Sequence, residues 1–294
     1  MANIKMHENE FDIDERMVRD LLQSQFQQWS DLPLQMIKSA GTDNLIFRLG
    51  DDKCIRLPRV PGSQIQIEKE QRWLPFLAPH LPLAIPVPIG KGQPQNNYPS
   101  YWSIFHWLEG NNAINAVNLD LAQAARDLAK FINSLHRIDA TSGPSTYRGL
   151  PLNTRDEEVH KALADLEGIV DTSAALKIWN ICKQAPIWDK PPVWIHSDLL
   201  PANILVNNGK VTGIIDFGMM GIGDPACDLL PAWSLLDRDS RETFRTTLLI
   251  DDATWLRGKG WALSIGLIIL PYYFDTNPEL VAVGKRLVTE VLSA

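Results

Sequence analysis

Residues 193–218 read VWIHSDLLPANILVNNGKVTGIIDFG, and the reversal in their second half constrains the fold more than any other feature of this 294-residue chain. Two β-rich runs, residues 204–206 and 211–215, flank Asn207-Asn208-Gly209-Lys210, where Asn-Gly supplies the positive φ angles that a tight hairpin requires. In an antiparallel pair the start of the first strand lies beside the end of the second, so Asn203 and Asp216 are predicted to be neighbours. Val193-Trp194-Ile195 is an apolar run that should be buried, and the polar loop of residues 196–203 breaks away from it. An amide oxygen and a carboxylate brought together suit Mg²⁺, which takes hard oxygen ligands and shares them with substrate phosphates. Asp198, in the same loop, is the candidate to take a proton from an acceptor hydroxyl.

The spacing His196-x-Asp198-x-x-x-x-Asn203, followed by Asp216-Phe217-Gly218, is the catalytic-loop and metal-loop pattern of protein kinases and their small-molecule relatives. Ser197 stands where protein kinases usually carry Arg. With Leu199-Leu200-Pro201-Ala202-Asn203, Gly223-Asp224-Pro225 and Asp228, the chain resembles the aminoglycoside phosphotransferase family over nearly its whole length. Earlier landmarks are Ser39-Ala40-Gly41-Thr42-Asp43-Asn44, Arg56-Leu57-Pro58 and residues 66–70 and 105–110.

The resemblance implies a two-lobed, protein-kinase-like α+β fold. Residues 1–104 would form a small antiparallel-sheet lobe that binds nucleotide, residues 105–110 a hinge, and residues 111–294 a mostly helical lobe for catalysis and acceptor binding. ATP or GTP would lie in the cleft with Mg²⁺, and the γ-phosphoryl group would pass to a small-molecule hydroxyl, an aminoglycoside-type antibiotic being the first acceptor implied. Asp198 would be the catalytic base, Asn203 and Asp216 the metal ligands, and His196 and Asp228 structural supports. Arg56 falls where the kinase fold places its phosphate-pairing lysine, with Glu70 preferred over Glu68 as its partner. A surface ion pair is the alternative for that glutamate. Main-chain groups near His106 and Leu108 would bind the adenine edge.

The phosphate-covering element carries a weaker signature. Residues 34–39 and 45–49 read as strands joined by Gly41-Thr42-Asp43-Asn44, and the backbone and hydroxyl groups of Gly41, Thr42 and Asn44 are candidates to face nucleotide phosphates. An ordinary hairpin turn explains the same tetrapeptide. Neither G-x-G-x-x-G nor G-x-x-x-x-G-K-[ST] occurs, so a Rossmann site and a P-loop both lose their main support. Lys53, in the next turn, is expected to be solvated. Ile65, Ile67, Leu74 and Leu77 should line one side of a helix that Pro75 kinks or ends.

After the hinge the chain reads as helical: an apolar stripe from Leu121 to Ile138, two candidates at residues 156–168 and 174–184, and further helices beyond Leu235. Residues 261–270 are strongly apolar but fall short of the ~20 a membrane helix needs. The net charge of −7 disfavours a nucleic-acid partner. Divided at Gly110, the first part carries −2 and the rest −5, which suits a cationic acceptor or simply solubility. Three scattered cysteines and a polar, acidic start indicate a cytoplasmic protein, and oligomeric state is left open. The runner-up enzymes are kinases for another hydroxylated metabolite, sugar or macrolide. A nucleotide-binding regulator without turnover is the reading from another class, disfavoured by the complete set Asp198, Asn203 and Asp216.

Overall fold

The computed structural model describes residues 9–37, 43–95 and 98–293. The chain divides into two compact units, one taking the described residues up to Pro79 together with Ala84–Glu109, the other His80–Leu83 and the residues from Gly110 onward.

The first unit contains α1 (Glu15–Gln25), β1 (Leu34–Ile37), β2 (Asn44–Leu49), β3 (Lys53–Pro58), α2 (Gln64–Leu77), β4 (Pro88–Gly92) and β5 (Trp102–His106). Its five strands form one antiparallel sheet in the order β1-β2-β3-β5-β4. Alternation decides the buried face: Leu45, Phe47 and Leu49 point inward from β2, and Ile55 and Leu57 from β3. Against this face packs α1, through Val18, Leu21 and Leu22. This helix was not anticipated, its sequence reading only as polar and acidic. Asp14 caps it, accepting a hydrogen bond from the Met17 N–H at 2.7 Å.

Three expectations for this unit are corrected. Ile65 is 77% exposed, and the buried stripe of α2 is Ile67, Glu70, Leu74 and Leu77. At about 100° per residue, Ile65 lies roughly 200° from Ile67, on the opposite face. Pro75 does not end the helix, which runs two residues further. So close to the terminus the missing N–H costs a single bond. Lys53 is not solvated: it opens β3, and its ammonium lies 2.6 Å from Asp52 and 5.6 Å from the centre of the Trp29 ring.

The second unit contains β6 (Asn111–Asn112), α3 (Leu121–Leu135), α4 (Asp156–Asp165), α5 (Thr172–Lys183), β7 (Val193–Ile195), β8 (Ile204–Asn207), β9 (Lys210–Ile214), β10 (Gly221–Gly223), α6 (Pro231–Ser234), α7 (Arg238–Thr247), α8 (Asp252–Tyr273) and α9 (Pro278–Ser293). The apolar α8 is buried over most of its length, chiefly against α9. No helix among the described residues is long and apolar enough to cross a membrane. The hairpin of β8 and β9 turns at Asn208 and Gly209, whose φ angles of 50° and 73° are the paired positive values of a two-residue reversal. In β7, Trp194 and Ile195 are buried as expected and Val193 only in part, and the strand pairs with β10, a partner the sequence did not disclose.

Candidate active site

The loop after β7 begins in fully buried backbone. His196 and Ser197 are both sealed from solvent, and Ser197 takes φ = 69°, a conformation that costs a residue with a Cβ. Asp228, itself buried in a short 3-10 turn (Pro225–Leu229), holds that conformation. Its carboxylate accepts the N–H of Ser197 at 2.6 Å and that of His196 at 3.3 Å, and lies 3.0 Å from Nε2 of His136. The Ser197 hydroxyl donates to the Met219 carbonyl at 2.8 Å, tying the loop to the segment after Asp216.

Both ring nitrogens of His196 are engaged. Nδ1 accepts the Asp198 N–H at 3.2 Å, which leaves Nε2 to carry the hydrogen and donate to the Ile215 carbonyl at 3.0 Å. The imidazole is therefore the neutral Nε2–H tautomer, wedged edge-to-face on Phe217 with centroids 4.4 Å apart. Burial lowers its pKa, against the opposing charges of Asp228 and Asp198. The sign follows: in acid the unfolded chain binds the proton that the folded one refuses, so this contribution is whole above pH 6.5 and lost as pH falls below it. Urea midpoints should drop between pH 7 and pH 5.5, and His196→Asn should shrink that drop; an equal drop in the variant would remove His196 as its source.

Asp198 follows directly. Its Oδ1 accepts from Arg148 Nη1 at 2.8 Å, and its Oδ2 from Asn203 Nδ2 at 3.0 Å; the same amide also donates to the Asp198 carbonyl at 2.9 Å. Asn203 closes a 3-10 turn (Pro201–Asn203) that opens into β8, and its carbonyl accepts the Ile215 N–H at 2.9 Å. The hairpin thus joins Asn203 to the residue preceding Asp216. Asp216 has φ = 63°, the second left-handed residue in the site without a glycine's freedom. Asn203 and Asp216 stand at adjoining ends of one hairpin, whose strands pass a register shift between Leu205 and Val206 on the way from the turn. Arg148, which also donates to the Ser197 carbonyl at 2.9 Å, was missed because nothing local links it to a loop 50 positions away.

A further unforeseen pair holds the turn that carries Asp228. Asp224 caps that turn, and Arg257 from α8 grips its carboxylate through Nε at 2.6 Å and Nη2 at 3.0 Å, both side chains being under 5% exposed.

In the first unit, Arg56 Nη1 donates to Glu70 Oε1 at 2.9 Å, and Glu70 occupies a core-facing position of α2, not a surface one. Asn44 opens β2 opposite Pro58. His106 closes β5, its N–H donating to the Val87 carbonyl at 3.2 Å, and Leu108 follows two residues later. Gly41 and Thr42 lie outside the described residues.

A sequence model of the phosphotransferase enzyme family matches residues 38–261. An aminoglycoside 3'-phosphotransferase of Escherichia coli is 27% identical over 143 residues, which cover 46% of this chain and 53% of that protein. The chain spans about half the length of the curated relatives it matches. Among solved structures, the GDP complex of aminoglycoside 2'-phosphotransferase-IIIa superposes with a TM-score of 0.72 at 21% identity, covering 96% of this chain and 99% of that one. The apoenzyme of macrolide 2'-phosphotransferase MphH from Brachybacterium faecium gives 0.63 at 21% identity, with 92% and 97% covered. The fold is the kinase-like α+β fold, a small antiparallel-sheet unit with a mostly helical one.

Proposed function

We propose, for a chain that belongs to the phosphotransferase enzyme family, that it moves the γ-phosphoryl group of ATP or GTP to a hydroxyl of a small molecule. One observation carries this reading: Asn203 is hydrogen-bonded both to the Asp198 carboxylate and to Ile215, the residue before Asp216, within a single hairpin context. Asp198 would accept the hydroxyl proton as the bond to phosphorus forms, held in place by Arg148 and Asn203. His196 has no spare proton site and serves to set the loop.

The donor set fits Mg²⁺. The described residues contain no cluster of three or more His, Cys, Asp or Glu side chains able to hold an ion alone, whereas Mg²⁺ needs only one or two protein oxygens beside those of a nucleotide. Asn203 and Asp216 are the residues that would hold it. When bound it neutralises charge on the phosphate oxygens. Arg56, steadied by Glu70, would contact those phosphates as a planar fork, with Asn44 and the turn before it nearby in sequence. His106 and Leu108 would offer main-chain groups to the purine. The supply of nucleotide puts the reaction in the cytoplasm.

Aminoglycosides enter as acceptors through the names of relatives, and macrolides by the same route. Purified chain incubated with Mg²⁺, either nucleotide and a panel of hydroxylated compounds should yield a phosphorylated product by mass and a matching nucleoside diphosphate. Nucleotide binding without metal-dependent product from any acceptor would reject the reading. Glu70→Gln, which keeps the shape and removes the charge facing Arg56, should raise the nucleotide KM by about tenfold. An unchanged KM would detach this pair from the phosphates.

A further inference from the structure

Arg148 sits in a short 3-10 turn (Tyr147–Gly149) that backbone contacts pin against β10 and its flanks. The Pro144 carbonyl accepts the Ile222 N–H at 2.8 Å, the Gly149 carbonyl accepts the Asp224 N–H at 3.1 Å, and the Thr146 hydroxyl donates to the Met219 carbonyl at 2.9 Å. Gly149 and Gly223 lie so close that a Cβ on the latter would sit 2.3 Å from the Gly149 Cα. The turn is therefore held by its main chain and by small residues. Its large side chains serve elsewhere. Arg148 goes to Asp198, with Nη1 2.8 Å from Oδ1, while Tyr147 and Leu150 stay 49% and 47% exposed. Leu152, two residues further, is buried, so the same stretch does send an apolar side chain into the core.

A lone exposed apolar side chain is ordinary on a protein surface. Here two of them bracket a residue bonded to the candidate base, on backbone that cannot withdraw them. The phenol is tied to the site by contact. Arg148 Nε donates to the Tyr147 hydroxyl at 3.4 Å, and the guanidinium carbon lies 5.9 Å from the centre of that ring. The same guanidinium bonds the Asp198 carboxylate, whose side chain is 21% exposed and so open to an incoming hydroxyl. One guanidinium is thus all that separates phenol from carboxylate.

The surroundings of this approach favour an uncharged visitor. Residues 144–155 hold two arginines and no acid, and Asp198 is the single acid of the loop of residues 196–203. That acid is already paired, so an ammonium beside the reacting hydroxyl would meet a guanidinium. A ring face, by contrast, gains from stacking on the tyrosine and from covering the leucine. The −5 carried beyond Gly110 acts at longer range, where salt screens charges more than about 8–10 Å apart.

We propose that Tyr147 and Leu150 form the wall on which the acceptor lays an uncharged ring, so that the hydroxyl offered to Asp198 stands on an apolar part of the acceptor. This rests on Asp198 being the base in the proposed reaction. There the acceptor O–H breaks, its proton passes to Asp198, its oxygen bonds the γ-phosphorus, and the nucleoside diphosphate leaves with the electron pair of the broken P–O bond. Tyr147 touches none of these atoms. It selects which molecule brings the hydroxyl.

The test divides the acceptor panel among uncharged hydroxy compounds with an apolar ring face, such as phenyl β-glucoside, their unsubstituted sugars, and ammonium-bearing compounds, aminoglycosides included. The first group should show the highest kcat/KM. Tyr147→Ser should raise the KM of those acceptors by about tenfold, with the nucleotide KM as internal control, and Tyr147→Phe, which keeps the ring, should recover most of the loss. Preference for ammonium compounds, an unchanged acceptor KM in Tyr147→Ser, or an equal rise in the nucleotide KM overturns the wall while leaving phosphotransfer standing. If no compound reacts, the phosphotransfer reading has failed, and phenyl β-glucoside titrated into protein carrying ring-¹³C tyrosine still decides the wall. A shift of the Tyr147 resonance, identified by its loss in Tyr147→Phe, supports it. A Tyr147 resonance that does not move overturns it.

Discussion

Asp198→Asn should reduce kcat by about 10²–10⁴-fold while leaving nucleotide affinity near that of the parent, since the substitution removes a proton acceptor and little else. The asparagine keeps the length and shape of the side chain, and one of its atoms can still meet Asn203 Nδ2, as Oδ2 of Asp198 does at 3.0 Å. Arg148 keeps the Ser197 carbonyl as an acceptor at 2.9 Å, so the loop is not left with an orphaned guanidinium. Single-turnover rates with saturating acceptor, set beside a nucleotide titration, separate chemistry from binding. An unchanged rate would remove Asp198 from the role of base. Loss of rate with equal loss of nucleotide affinity would assign it to binding instead.

The second large effect falls on stability. Asp224→Ala leaves Arg257 buried without its carboxylate, and breaking one side of such a pair costs ~3–5 kcal/mol. Part of the arginine remains satisfied by the Pro186 carbonyl at 2.6 Å and the Thr254 hydroxyl at 3.1 Å, which places the expected value toward the lower end. The damage should spread, because Asp224 caps the turn from which Asp228 holds Ser197 and His196. Urea unfolding of Asp224→Ala should show the midpoint fall. A double replacement of Asp224 and Arg257 by apolar residues should recover much of it, since no buried charge is then left alone. A single variant as stable as the parent would mean that water reaches Arg257 once its partner is gone.

The hairpin was legible because its information is local, Asn-Gly at the turn and β-rich runs on either side, whereas the register shift between Leu205 and Val206, which sets Asn203 against Ile215, the residue before the expected Asp216, left no signal in the sequence. Glu70 was legible in part, as a preferred partner of Arg56, although its place on the buried stripe of α2 emerges only once the phase of that helix is known. Ile65 misled for the same reason, an apolar residue being counted onto a face it does not share. The positive φ of Ser197 left no trace, because serine gives no signal for left-handed backbone and the cause, Asp228, lies 31 positions away. Arg148 and Arg257 were hidden likewise. One sits in an irregular connection and the other in an apolar helix, and both act across tertiary contacts that no periodicity encodes.

Asn203 and Asp216, at one end of the hairpin, are proposed to hold a divalent cation for a nucleoside triphosphate, and calorimetric titration of nucleotide with and without Mg²⁺ decides whether they do. The parent should bind nucleotide far more tightly with Mg²⁺ than without it, and Asp216→Asn should abolish that difference. Equal dependence on Mg²⁺ in the parent and in Asp216→Asn, with turnover intact, would contradict the assignment.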